Sequence, residues 1–228
     1  MRIAEIFHSI QGEGQFTDTP SVFVRTSGCN LRCWFCDTPY TSWEPEGPQM
    51  PWQVVLDKTL SFDCEHVVVT GGEPLLPRDI EPLTKALAEQ HRFVTIETAG
   101  TVHRPVHADL MSISPKLGNS TPDAARGGRW RSRHESLRQN LPVVERLIAE
   151  FPYQLKFVID QPEDVAEVEA YLRLLPAVEA QHVWLMPQAT TRDQLAKQTA
   201  WLEPAARRLG FQFSSRKHIE LFDNVRGK

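Results

Sequence analysis

The chain lacks most of what marks a membrane or secreted protein. No apolar run approaches the roughly 18 residues that span a bilayer, and Met1-Arg2-Ile3-Ala4-Glu5 does not open an apolar signal region. Cysteine is scarce, with four in 228 residues. Three of them are clustered, which argues for a reducing compartment and against a disulfide scaffold. Positive charge is not in excess: the formal charge is −4, so nothing electrostatic calls for a polyanion. Internal repeats and low-complexity segments are absent. These gaps lead us to expect a soluble, cytoplasmic protein with no membrane or nucleic-acid partner. A hydrophobic content of 41% suits one substantial core, hence a single domain over 1–228.

Against that sparse background stands Cys29-Asn30-Leu31-Arg32-Cys33-Trp34-Phe35-Cys36, a C-x3-C-x2-C group. Three thiolates so close converge on one soft-metal site and are too crowded for ordinary disulfide pairing. A closed zinc site or an ordinary ferredoxin cluster wants four protein ligands. The remaining Cys64 lies among Phe62, Val67, Val68 and Val69 and reads as core. From the residues alone, two readings stay open. One is a 4Fe–4S cluster with an iron left for a non-protein ligand; the other is a zinc knuckle completed by His8 or His66.

Around this group the chain alternates short apolar strands with helices of 10–15 residues, the pattern of a parallel α/β sheet. Strands are predicted at Arg2–Phe7, Ser21–Arg25, His66–Thr70, Phe93–Glu97, Asp109–Ile113, Gln154–Asp160, His182–Met186 and Phe211–Phe213. Helices are predicted at about Trp52–Leu60, Asp79–Gln90, Pro142–Glu150, Glu163–Leu174 and Asp193–Leu209. Polar groups gather just after the strands: Thr70, Glu97, Ser114, Lys116 and Gln188. Strand carboxyl ends are where such sheets bind ligands. Gln11-Gly12-Glu13-Gly14 and Gly71-Gly72-Glu73-Pro74 allow tight turns and close backbone approach. Arg25 either points into the pocket or makes a surface salt bridge. The segment Asn119–Arg138, with Arg126, Arg129, Arg131, Arg133, Arg138 and Trp130, breaks the rhythm. Its composition suits nucleic acid, but in an acidic chain we expect a solvated, mobile insertion.

Three thiolates with an open iron resemble the radical S-adenosylmethionine enzymes. Adding Ile10–Gly14, Phe23-Val24-Arg25, Gly28–Leu31, Cys36-Asp37-Thr38, Thr70–Pro74, Glu97-Thr98, Ser114-Pro115-Lys116 and a tail with His218, the chain is similar to the 7-carboxy-7-deazaguanine synthases. The resemblance implies a compact, incomplete (β/α) barrel, shorter than the eight-strand form, whose tail, 214–228, returns to the substrate site. It implies conversion of 6-carboxy-5,6,7,8-tetrahydropterin to 7-carboxy-7-deazaguanine with loss of ammonia, begun by hydrogen abstraction at C6. Cys29, Cys33 and Cys36 would hold the cluster. Phe35, Cys36, Asp37, Gly72, Glu97, Ser114, Pro115 and Lys116 would hold S-adenosylmethionine. Ile10, Gln11, Gly12, Glu13, Arg25, Thr70 and His218 would hold the pterin, with Thr38 on Mg²⁺. It further implies an electron donor such as flavodoxin and a homodimer. The rivals are a glycyl-radical activase and a non-catalytic zinc or iron–sulfur module.

Overall fold

The computed structural model describes residues 1–223 and 225–227; Asn224 and Lys228, which belong to the expected closing segment, lie outside the described residues. One eight-stranded sheet runs in sequence order: β1 (Ile3–Ile10), β2 (Pro20–Thr26), β3 (His66–Gly71), β4 (Phe93–Thr98), β5 (Leu110–Ile113), β6 (Tyr153–Ile159), β7 (Val183–Pro187) and β8 (Gln212–Phe213). β1 is antiparallel to β2, and every later neighbour is parallel. The helices are α1 (Pro39–Ser42), α2 (Trp52–Leu60), α3 (Ile80–Glu89), α4 (Ala124–Gly127), α5 (Arg129–Arg138), α6 (Leu141–Glu150), α7 (Pro162–Arg173), α8 (Arg192–Leu209) and α9 (Lys217–Phe222). Among the described residues the strands number eight, as many as the alternation predicts, so the barrel falls short of the full form in closure and not in strand count. The barrel is incomplete because β1 runs against its neighbour, β8 has two residues, and these end strands do not pair.

Residue period sets which side is core. Along the strands Val67, Val69, Val94, Ile96, Met111, Ile113, Leu155, Phe157 and Ile159 recur at every second position and join one apolar cluster. The helices bring matching stripes, as in α3, where Ile80, Leu83, Thr84 and Leu87 are buried at helical spacing. Each such apolar side chain contributes about 1.5–3 kcal/mol when fully buried. Local signals delimit the helices. Gln161 and Asp164 form a capping box on α7, with Pro162 in its first turn. Thr191 caps α8, which ends at Gly210 in a left-handed conformation.

The intervening residues face the other way and make a polar row across the sheet. Arg25 is paired with Thr70, and Glu97 with Ser112, which is paired in turn with Gln154. Thr70 donates to Glu97 Oε2 (2.9 Å), and Gln154 donates to Ser112 (2.9 Å), so hydrogen bonds join the row in two pairs.

The segment 119–138 is exposed along most of its length, as expected of a solvated insertion, but it is helical. It folds as α4 and α5 against the cysteine loop. His134 is fully buried, accepting from the Arg32 backbone N–H (3.1 Å) and bonding Ser120 (2.9 Å). The Arg32 guanidinium lies 3.9 Å from the Trp130 ring centre and that of Arg126 lies 4.5 Å from the Trp43 ring centre. Paired aromatics and arginines supply the packing that a run of polar residues does not show by periodicity. No helix among the described residues is long and apolar enough to cross a membrane.

Candidate active site

A cavity of about 280 Å³ opens at the carboxyl ends of the strands, near the lower bound of ligand pockets. Every residue assigned above to cluster, cofactor, metal or substrate lines it, with one exception. Pro115 is the exception. It is buried beside the wall and fixes the backbone between Ser114 and Lys116 without facing the cavity.

The cysteine loop leaves β2 and is tied down by backbone. Gly28 donates to Thr41 O (2.8 Å), and Glu73 donates to Gly28 O (2.9 Å). Gly72 is required for that approach: a Cβ there would sit 2.2 Å from Gly28 O and 2.7 Å from Thr41 O. Part of the glycine requirement thus comes from the cysteine loop itself. Glu73 turns away from the cavity and accepts from Leu75 N, Thr98 Oγ1 and Ala99 N at 2.8–3.1 Å, so it braces the turn.

Burial pushes the Cys29 and Cys33 thiols up to about 12, and also raises Cys36. Such thiols stay protonated at neutral pH unless a metal charge stabilises the thiolate. Three of them on one wall form a donor set that fits an iron–sulfur cluster with one iron free. Ser42, on α1, lies 3.2 Å from Cys36 Sγ, and Trp43 Nε1 donates to Cys33 O (3.0 Å). Neither histidine of the zinc-knuckle reading reaches the loop. His66 bonds Ser21 and Thr95 inside the sheet, and His8 stacks on Phe62. Among the described residues no three His, Cys, Asp or Glu side chains lie close enough to hold a single ion.

Opposite the thiols lies a buried charge network that the sequence reading missed in part. Lys156, 3% exposed on the inward face of β6, donates to Glu13 Oε2 (2.9 Å) and Glu97 Oε1 (3.2 Å). Gln11 also donates to Glu97 Oε1 (3.2 Å). Arg216, from the tail, donates to Glu13 Oε1 (3.2 Å), to Ala189 O (2.6 Å) and to Asp37. Burial alone would raise Glu13, but the Lys156 and Arg216 charges outweigh it and hold the carboxyl far below its usual range. For Asp37 the Arg216 charge likewise overcomes burial and lowers the carboxyl. The signal for Lys156 was a lone cation between Leu155 and Phe157 in an apolar strand. Arg216 left no signal, because its partners are remote in sequence.

Arg25 lines the cavity but is also engaged: its Nε donates to Glu5 Oε1 (2.6 Å), which accepts from Tyr40 too (2.8 Å). Arg25 thus faces the cavity and makes an ion pair that is half-buried, not on the surface. Lys116 Nζ donates to Ser114 O (2.8 Å) and Oγ (2.6 Å), placing the two on one spot. Arg216 and His218 of the tail line the cavity. Lys217 N donates to Gly12 O (2.9 Å), and a Cβ on Gly12 would lie 2.4 Å from His218 Nδ1. Gly14 N also donates to Ser214 (2.8 Å), so tail and first loop bridge the gap between β1 and β8.

Comparison with known proteins agrees with this geometry. The Radical SAM superfamily model matches residues 23–175. A 7-carboxy-7-deazaguanine synthase of Rhodopirellula baltica is 45% identical over 99% of this chain and 88% of its own. Its counterpart in Halobacterium salinarum is 40% identical over 98% and 91%. The crystal structure of QueE from Escherichia coli superposes with a TM-score of 0.67 at 23% identity, covering 95% of this chain and 94% of that one, a likeness of fold. Cysteine triad, strand-end cavity and near-full-length identity together place the chain in the radical S-adenosylmethionine superfamily, among the 7-carboxy-7-deazaguanine synthases.

Proposed function

We propose that the protein converts 6-carboxy-5,6,7,8-tetrahydropterin to 7-carboxy-7-deazaguanine with release of ammonia, the whole chain acting as one domain. The observation that carries this reading is Glu13: a carboxylate kept charged by Lys156 and Arg216 on the cavity wall. Such a group accepts N–H donors of a pterin edge, and Gln11 beside it complements the same edge. Arg25 is the fork for the substrate carboxylate, Thr70 and His218 add hydrogen bonds, and Ile10 and Gly12 shape the wall.

Cys29, Cys33 and Cys36 would hold the cluster. Phe35, Cys36, Asp37, Gly72, Glu97, Ser114 and Lys116 would orient S-adenosylmethionine, with Pro115 fixing the backbone between the last two. When bound, this pair supplies a one-electron reductive cleavage and so the power to remove a hydrogen atom from carbon. The chain's own residues position C6 for that event and keep water out. Thr38 would hold Mg²⁺, an ion that prefers oxygen ligands. Its hydroxyl lies 3.3 Å from Thr41 Oγ1 and 3.8 Å from Cys36 Sγ, on the cavity wall. The enzyme works as a homodimer and takes its electron from a carrier such as flavodoxin.

The test is anaerobic incubation of cluster-loaded protein with the carboxytetrahydropterin, S-adenosylmethionine, magnesium and dithionite. Ammonia and the deazaguanine acid should accumulate together. Cofactor cleavage with the pterin left intact would overturn the reading, and a glycyl radical raised on a partner enzyme would favour the activase.

A further inference from the structure

Arg25 is held by a carboxylate that stands behind the cavity wall. In the antiparallel register Glu5 of β1 lies directly opposite Arg25 of β2. Opposite residues of such a pair share one face of the sheet and are close enough to touch. Glu5 Oε1 accepts from Arg25 Nε (2.6 Å) and from the Tyr40 hydroxyl on α1 (2.8 Å). Its other oxygen, Oε2, lies 3.5 Å from Arg226 Nε. Arg226 also donates to Glu46 Oε2 (3.0 Å) and lies 4.0 Å from the Tyr40 ring centre. Phe7, two residues further along β1, puts its ring centre 5.6 Å from the Arg25 guanidinium. Phe7, Arg25, Tyr40 and Arg226 line the cavity, and Glu5 does not.

A guanidinium carries one donor at Nε and four at its two terminal nitrogens, all in one plane. In Arg25 the Nε donor is taken by Glu5, and among the described residues neither terminal nitrogen has a hydrogen-bond partner. The tip is left as a two-pronged donor on a side chain that is 18% exposed and already fixed. Two parallel N–H donors match the two oxygens of a carboxylate. A loose arginine would give up its rotamer freedom when the ligand binds, whereas this one has given it up on folding.

We propose that Glu5 is a positioning residue for recognition of the substrate carboxylate. It grips Arg25 by the Nε edge, with Tyr40 behind it, so that the terminal nitrogens form a ready fork for the carboxylate at C6 of the pterin. This role rests on the reading of Arg25 as that fork and extends it to a residue that touches no substrate. Glu5 thereby sets the preference for carboxylated over uncarboxylated pterins.

Isothermal titration calorimetry on anaerobic, cluster-loaded protein with S-adenosylmethionine compares two ligands: 6-carboxypterin, the oxidised analogue of the proposed substrate, and pterin, which lacks the carboxylate. The parent should prefer 6-carboxypterin, and Arg25→Ala should abolish the preference. Glu5→Ala should raise Kd for 6-carboxypterin about five- to tenfold, the effect of freeing one long side chain before binding, and leave Kd for pterin unchanged. Glu5→Gln keeps an oxygen acceptor for Arg25 Nε and should restore binding close to that of the parent. Tyr40→Phe removes only the hydroxyl behind Glu5 and should shift the same ratio about threefold. Should the alanine variant not fold, an unchanged ratio in Tyr40→Phe overturns the role. In a folded Glu5→Ala protein, equal loss of both ligands would mark Glu5 as merely structural, and unchanged affinity would remove it from recognition. Tighter binding of 6-carboxypterin would show Glu5 competing with the ligand for Arg25. Each of these three results overturns the role while the fork survives. No preference in the parent and no effect of Arg25→Ala would instead overturn the fork, and the role of Glu5 with it.

Discussion

Replacing Lys156 by Met isolates the energetics of the buried network. The change keeps an unbranched chain of similar length in the β6 position while removing the cation 2.9 Å from Glu13 and 3.2 Å from Glu97. Stripping one partner from a buried ion pair costs about 3–5 kcal/mol, because the charge left behind has lost its water. At about 2–4 °C per kcal/mol for a chain of this size, the melting temperature should fall roughly 6–20 °C. The pH profile carries a second signature. Glu13 has a depressed folded pKa, so its contribution is present above the unfolded value of 4.5 and is lost as pH falls through the folded one. Lys156 is raised above 10.5, so its contribution is present below that value and is lost as pH rises through the folded one. The pair therefore stabilises the parent across the whole interval, and the deficit of the variant should shrink on acidification, once the orphaned carboxylates take up protons. Differential scanning fluorimetry between about pH 4 and pH 8 reads both effects. A fall below about 2 °C that does not change with pH would mean that Glu13 and Glu97 are adequately compensated without Lys156.

Three further substitutions probe the cavity. Arg25→Ala should raise KM for the pterin roughly ten- to a hundredfold, since a charge-assisted hydrogen bond is worth about 1.5–3 kcal/mol; unchanged steady-state kinetics would remove Arg25 from the substrate. Gly12→Ala puts a methyl 2.4 Å from His218 Nδ1, which should push α9 outward, speed tryptic cleavage at Lys217 and weaken pterin binding; an unaltered digestion pattern would count against the contact. Thr38→Ala should weaken the response to magnesium while iron content stays full, and an identical metal titration would end its assignment.

Much of this architecture is legible in one-dimensional pattern. The helix Trp52–Leu60 coincides with its predicted bounds, and the other expected strands and helices shift by a few residues, because alternation of period two against 3.6 is a local property. The thiols, Gln11, Glu13 and Glu97 are legible for a related reason: each lies in or beside a short motif. Arg216 is not, since it meets Glu13 from 203 residues away, and no local pattern reports a contact of that span. The α4–α5 segment misled for a different reason. Its packing on the cysteine loop depends on the buried His134 and on Arg32 and Arg126 lying over Trp130 and Trp43, contacts that composition does not report. Pro115, inside an expected binding motif, is buried and does not line the cavity.

The meeting of the first loop with the far end of the chain bears on the order in which the enzyme matures. A polypeptide emerging from the ribosome presents its three thiols early, with β2, whereas Arg216 and His218 arrive after nearly everything else. The cavity is therefore completed last: the wall that carries Glu13 waits for Arg216, which follows it by 203 residues.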